Sequence, residues 1–135
     1  MRGITFGAFD AFHIGHLNLL RNAKIRCDEL IVCVSTDEYI RKIKKTEPLY
    51  KYQDRHDIVS AIKYVDIVDR QSLHHGKKEA IKDWKPDMIF VGDDWTPETF
   101  TGEGLGVPVT YLNYTKGIST TLIKEKYATE CRCGK

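Results

Sequence analysis

Two histidines bracket a glycine near the start of the chain, in the run Gly7-Ala8-Phe9-Asp10-Ala11-Phe12-His13-Ile14-Gly15-His16. They are three positions apart, so one helical turn sets their rings side by side. Two imidazoles can donate hydrogen bonds to phosphate oxygens and stabilise charge that develops in a transition state. Gly15 leaves room for a ligand to reach the backbone. Gly7 is expected to let the chain turn sharply as a preceding strand ends. A helix that begins here offers free N–H groups and the positive end of its dipole, which suits a phosphate. A lone histidine at His16 would read as a core residue, whereas a pair around a glycine directly after a strand reads as ligand chemistry. Zinc binding by the pair lacks a third ligand nearby in sequence.

A second group of polar residues lies near the other end, in Gly117-Ile118-Ser119-Thr120-Thr121. Simple capping of a helix needs only one of these hydroxyls, and the others can donate to a phosphate. Together with the histidine loop, they suggest two helix starts converging on one polyphosphate. Between the two lies a basic stretch: Arg41, Lys42, Lys44 and Lys45, then Lys51 and Arg55. A solvated helical face is the plain explanation. A mobile basic loop over a triphosphate is the alternative that its place after a strand favours. The four cysteines, Cys27, Cys33, Cys131 and Cys133, read as reduced thiols. Cys131-Arg132-Cys133 could hold a metal only with two further ligands.

These groups need a scaffold, and the hydrophobic pattern supplies one. Ile4-Thr5-Phe6 predicts a strand. His16, Leu19, Leu20, Ala23 and Cys27 share one face of a helix over 16 to 27. Leu30 to Val34 is a continuous apolar run, as in a parallel strand buried on both faces. A helix is expected over 54 to 64 with Asp54 as its N-cap. Strands are expected at Val65 to Val68, Met88 to Val91 and Val107 to Leu112, and helices at 77 to 84 and 119 to 127. This alternation predicts a Rossmann-like α/β fold: a doubly wound, parallel five-stranded sheet in a single domain. Residues 1–127 would form it and 128–135 a C-terminal tail. Such sheets bind ligands beyond the carboxyl ends of their strands, which is where the histidine loop, Gly92-Asp93-Asp94-Trp95 and the hydroxyl run fall.

The chain's 135 residues suffice for one core. With 21 Lys and Arg against 19 Asp and Glu, a net charge of +2 gives no bulk attraction to nucleic acid or membranes. No apolar run approaches the roughly 18 residues of a membrane span. The first residues are too briefly apolar for a signal peptide, so the expected location is cytoplasmic.

The pattern Gly7-x-Phe9-Asp10-x-x-His13-x-Gly15-His16, followed by Gly117-Ile118-Ser119-Thr120-Thr121, resembles the cytidylyltransferase family. Within the family it is most similar to members acting on glycerol 3-phosphate. The likeness runs from about residue 3 to 126. It includes Ser35-Thr36-Asp37-Glu38, Tyr64-Val65-Asp66 and Gly92-Asp93-Asp94-Trp95. The resemblance implies transfer of a cytidylyl group from CTP, with Mg²⁺, to a phosphorylated alcohol, releasing pyrophosphate. His13 and His16 would stabilise the transition state, and Lys44 or a neighbour would hold the triphosphate. Gly7, Ala8, Phe9, Gly15, Asp94, Thr115, Gly117, Ile118, Ser119 and Thr120 would bind the nucleotide. Asp10, Arg55 and Lys63 would serve the acceptor, and no protein-held metal is implied. A homodimer is implied as well. Two departures stand out. Ala8 replaces the family's usual threonine, and Tyr114 replaces the arginine that usually opens the last motif, with Lys116 a substitute cation two residues on. An ATP-using adenylyltransferase and a catalytically weakened nucleotide-binding protein are the alternative readings.

Overall fold

The structure is a computed structural model describing residues 1–113 and 115–133, with side chains through residue 126. Its elements are β1 (Arg2–Gly7), α1 (Ile14–Ile25), β2 (Glu29–Ser35), α2 (Asp37–Tyr39) continuing into a π-helical turn (Ile40–Lys44), α3 (Tyr52–Ser60), β3 (Ile67–Gln71), α4 (Lys77–Trp84), β4 (Met88–Gly92), β5 (Val109–Leu112) and α5 (Thr120–Cys133). The five strands form one sheet in the order β3-β2-β1-β4-β5, with every neighbouring pair parallel. The expected Rossmann-like α/β sheet is therefore present.

Strand composition explains the layering. Side chains alternate across the sheet, and both faces of β2 are buried. Leu30, Val32 and Val34 meet Leu20 and Ala23 of α1 and Val59 of α3 on one face. Ile31 and Cys33 join Ile4, Ile89, Ala80 of α4 and Phe100 on the other. The chain runs outward from β1 to β2 to β3, then returns to the far side of β1 as β4. The topological switch thus falls between β1 and β4, where open α/β sheets bind their ligands.

Several boundaries depart from the sequence reading, each for a visible reason. α1 begins at Ile14, because His13 takes the N-cap. α3 begins at Tyr52 with Lys51 before it, so Asp54 lies inside the helix rather than capping it. Val65 precedes β3, because Asp66 spends its carboxylate on the Leu30 N–H (2.7 Å) and Lys24 (2.6 Å) before pairing begins at Ile31 and Ile67. The basic stretch is ordered helix from Asp37 to Lys44, nucleated by Thr36, whose Oγ1 accepts the Tyr39 N–H at 3.1 Å. α5 carries the backbone of Cys131 and Cys133. The side chains of those two cysteines, and Tyr114 entirely, lie outside the described residues. Among the described residues Cys27 and Cys33 are free thiols. No helix among them is long and apolar enough to cross a membrane.

Candidate active site

Gly7 ends β1 with an ordinary strand backbone, and the sharp path comes after it. Phe9 and Ala11 take positive φ, 51° and 47°, a conformation that costs on the order of 1 kcal/mol or more for a non-glycine residue. Gly7 bears on the site in a different way from the expected turn: a Cβ there would press on the Phe9 ring at 3.0 Å. Asp10 holds the strained segment. The residue is 4% exposed, and its carboxylate accepts the N–H groups of Ala11 (3.1 Å), Leu49 (2.6 Å) and Tyr50 (2.9 Å). Lys124 lies 3.4 Å away, and the Thr120 hydroxyl donates to the Asp10 carbonyl at 2.7 Å. Asp10, expected to bind substrate, is instead the joint that ties the first loop to the segment before α3 and to α5.

The two histidines cap the helix they begin. His13 Nδ1 accepts the Gly15 N–H at 3.0 Å, and His16 Nδ1 accepts the His13 N–H at 3.2 Å. The rings stack with centroids 3.8 Å apart. Phe9 and Phe12 flank the His16 ring, each at 5.3 Å. Because both Nδ1 atoms accept, the proton of each neutral ring must sit on Nε2. Burial lowers the His13 pKa. Burial first, then His13 and Lys44, lower that of His16 to about 3 against the pull of Asp10. Both rings are thus neutral Nε2–H donors near pH 7. Gly15 is required by this stack, since a Cβ there would meet the His13 ring at 2.7 Å.

The last loop reaches the same place. Gly117, at φ 82°, makes its turn. Ser119 Oγ accepts the Leu122 N–H at 3.1 Å, which leaves its own proton for a ligand. The Thr120 proton is already spent on Asp10. Asn18 of α1, which the sequence reading passed over, donates to Thr115 Oγ1 at 2.9 Å and joins the two loops.

These groups enclose two adjoining cavities. One, of about 300 Å³, is lined by Gly7, Ala8, Phe9, His13, Gly15, His16, Asp94, Thr115, Ile118, Ser119 and Thr120, with Thr5, Leu19 and Trp95. The other, of about 570 Å³, shares Ala8, Phe9, His16 and Thr120 with the first and adds Lys44 and Lys124 with the carboxylates of Asp10, Glu47 and Glu125. Twelve of the thirteen expected nucleotide and catalytic positions thus line these two cavities; Gly117 lines neither.

The cations sort differently from the sequence reading. Arg55 is wholly buried. Its guanidinium donates to the carbonyls of Tyr50 (2.9 Å), Ala8 (2.9 Å) and Ser35 (2.6 Å) and pairs with Asp37 at 2.6 Å. It braces the strand ends; four of its five N–H donors are spent and the side chain is wholly buried, so it is not placed to take an acceptor phosphate. Lys63 lies in the segment that leads into β3, at the opposite end of the sheet, with its ammonium over the Tyr64 ring. It does not join the site. Lys77, the first residue of α4, lies instead at the end of the sheet that holds the site. Its ammonium lies 5.4 Å from the Phe6 centroid and 5.7 Å from that of Phe100, and burial lowers its pKa. Lys44 is exposed as a residue and lines the larger cavity, where the surrounding protein partly desolvates its ammonium. This desolvation, then the charges of Lys77 and Arg55, bring its pKa down to about 8. Lys77 thus lies close enough to Lys44 to disfavour its charge, and neither ammonium is held by a carboxylate ion pair among the described residues, an arrangement that suits an anion. The signal for Lys77 was its position: a cation opening a helix just after a strand end.

The arrangement suits phosphoryl chemistry: neutral donors, a helix N-terminus and ammonium groups, with Asp94 the one carboxylate among the described residues that line the smaller cavity. The comparisons agree. The family model described as cytidylyltransferase-like matches residues 4–126. A glycerol-3-phosphate cytidylyltransferase of Bacillus subtilis is 42% identical over 126 residues, covering 93% of this chain and 95% of that protein. One from Staphylococcus aureus is 38% identical over 125 residues, covering 93% of each. A lipopolysaccharide core biosynthesis protein from Thermoplasma volcanium, solved by crystallography, superposes with a TM-score of 0.71 at 26% identity, over 87% of this chain and 98% of that one. Fold, site and likeness together place this chain in the cytidylyltransferase-like family.

Proposed function

We propose that this chain transfers a cytidylyl group from CTP to a small phosphorylated alcohol, glycerol 3-phosphate first, giving a CDP-alcohol and pyrophosphate. The observation that carries the reading is the locked histidine pair. With each Nδ1 turned to a backbone N–H, both Nε2–H groups are left as donors beside Lys44. An acceptor phosphate oxygen forms a bond to the α-phosphorus of CTP as the bond from that phosphorus to the bridging oxygen breaks. The electron pair leaves with pyrophosphate. The dianionic acceptor needs no deprotonation, so catalysis is positioning and charge stabilisation.

In this reading His13 and His16 donate to the phosphates as charge builds, Lys44 holds the triphosphate, and Ser119 adds a donor at the start of α5. Lys77 takes the acceptor phosphate, in place of Arg55 and Lys63. The cavity of about 300 Å³ between Asp94 and Ile118 receives the nucleoside. Mg²⁺ comes as part of the nucleotide substrate, neutralising its phosphate oxygens. Among the described residues no three His, Cys, Asp or Glu side chains gather as a metal cage. The homodimer and the cytoplasmic location belong to the same proposal.

Pyrophosphate release from each nucleoside triphosphate, against a panel of phosphorylated alcohols, tests it. CTP with glycerol 3-phosphate should give the highest kcat/KM. A preference for ATP would overturn the cytidylyl assignment, and tight CTP binding without turnover on any acceptor would overturn the enzyme.

A further inference from the structure

Outside the cavities described above, a side-chain cluster sits at the edge strand β3. It lines a third cavity of about 600 Å³ with Tyr52, Arg70 and Asp83. At its centre Asp69 Oδ2 takes two hydrogen bonds. One comes from the indole Nε1–H of Trp84, the last residue of α4, at 2.7 Å. The other is shared with Nε2 of His75, the residue just before the Gly76 N-cap of α4, at 3.2 Å. A single carboxylate on the sheet therefore grips both ends of α4.

The loop on the N-terminal side is itself tight. Ser72 and His75 exchange backbone hydrogen bonds at 2.9 and 3.3 Å. Glu79 Oε1 accepts the Gly76 N–H at 2.9 Å. Lys77 follows directly, so the placement of its ammonium over Phe6 and Phe100 depends on where α4 starts and how its axis lies. At the far end Arg2 donates to the Trp84 carbonyl at 2.5 Å. Arg2 can therefore hold the C-terminus of α4, but Asp69 alone of these groups reaches both ends.

We infer that Asp69 is a positioning residue for the acceptor: by tying His75 and Trp84 to β3 it fixes α4, and with it the Lys77 ammonium that takes the acceptor phosphate. This rests on the proposed reaction. Lys77 touches the acceptor, and Asp69 acts only through it.

The test compares Asp69→Asn, Trp84→Phe and Lys77→Ala with the wild type, in steady-state kinetics against glycerol 3-phosphate and CTP separately, with Tm measured alongside. Trp84→Phe removes the indole donor and keeps most of the packing. Asp69→Asn keeps the shape and removes the charge. Loss of one such hydrogen bond corresponds to about five- to tenfold in binding. Asp69→Asn and Trp84→Phe should each raise KM for glycerol 3-phosphate by about that factor, in the direction of Lys77→Ala, with kcat and KM for CTP within about twofold of wild type. A merely structural role would lower Tm or shift both KM values together. Equal shifts, or an unchanged acceptor KM in both variants, overturn the inference while leaving the reaction standing. An unchanged acceptor KM in Lys77→Ala overturns it too. A wild type without turnover overturns the reaction and this inference with it.

Discussion

Truncating His16 separates its two jobs. The ring accepts the His13 N–H through Nδ1 and offers Nε2–H to the cavity. His16→Ala removes both. The lost cap costs about 1 kcal/mol of stability, which a folded domain of this size tolerates. The lost donor, if it meets the transition state, costs about 10²–10³ in turnover, or roughly 3–4 kcal/mol. Two further variants divide these effects by geometry. In His16→Asn the side-chain oxygen falls near Nδ1, so the cap returns and the phosphate donor does not. In His16→Gln the amide nitrogen falls nearer Nε2, so part of the donor returns without the cap. Pyrophosphate release under saturating CTP and glycerol 3-phosphate, with thermal melts in parallel, reads both. The asparagine variant should recover stability but stay slow, and the glutamine variant should recover part of the rate. Activity of His16→Ala within about threefold of wild type, or full rescue by asparagine, would make His16 a cap alone and refute the mechanism.

Lys44 should impose a basic limb on the pH profile. Its ammonium, with a pKa of about 8 against an ordinary 10.5, loses its charge as pH rises through about 8. kcat/KM for CTP, which reports the free enzyme, should therefore fall above that pH. Lys44→Arg should move the fall upward, and a profile unchanged by that substitution would remove Lys44 from the triphosphate. Asp10→Ala should leave the N–H groups of Leu49 and Tyr50 without acceptors. The expected loss is on the order of 3 kcal/mol, or about 10 °C in Tm by calorimetry. A melt within about 2 °C of wild type would show that the joint is dispensable.

Much of the site was legible in the sequence, because helix start, glycine and histidine spacing are local properties. One turn of helix dictates that His13 and His16 stack, and the strand-helix rhythm dictates that both loops lie at the same edge of the sheet. The failures concern partners far away in the chain. Nothing around Arg55 announces that its guanidinium meets carbonyls from residues 8, 35 and 50. Asp10 looks like a ligand-binding carboxylate until the N–H groups near residue 50 are seen against it. Lys63 drew attention through its charge and its place in a family-like segment, yet it sits at the wrong end of β3. Lys77 was overlooked because the density of basic residues lies elsewhere. What singles it out is its place at the first position of α4, with its ammonium over Phe6 of the first strand. Of the two readings open for the basic stretch, the helix from Asp37 to Lys44 matches the helical face and not the mobile loop, and Thr36 followed by two acidic residues is a recognisable start for it.

The central claim is a single in-line displacement at the α-phosphorus of CTP, supported by donors and cations and without a protein nucleophile. Its most direct measurement is the stereochemical course with CTP chiral at a sulfur-substituted α-phosphorus and glycerol 3-phosphate as acceptor, read by ³¹P NMR of the CDP-alcohol analogue formed. One displacement predicts inversion of configuration. Retention would require a covalent nucleotidyl intermediate on the protein and would contradict the account.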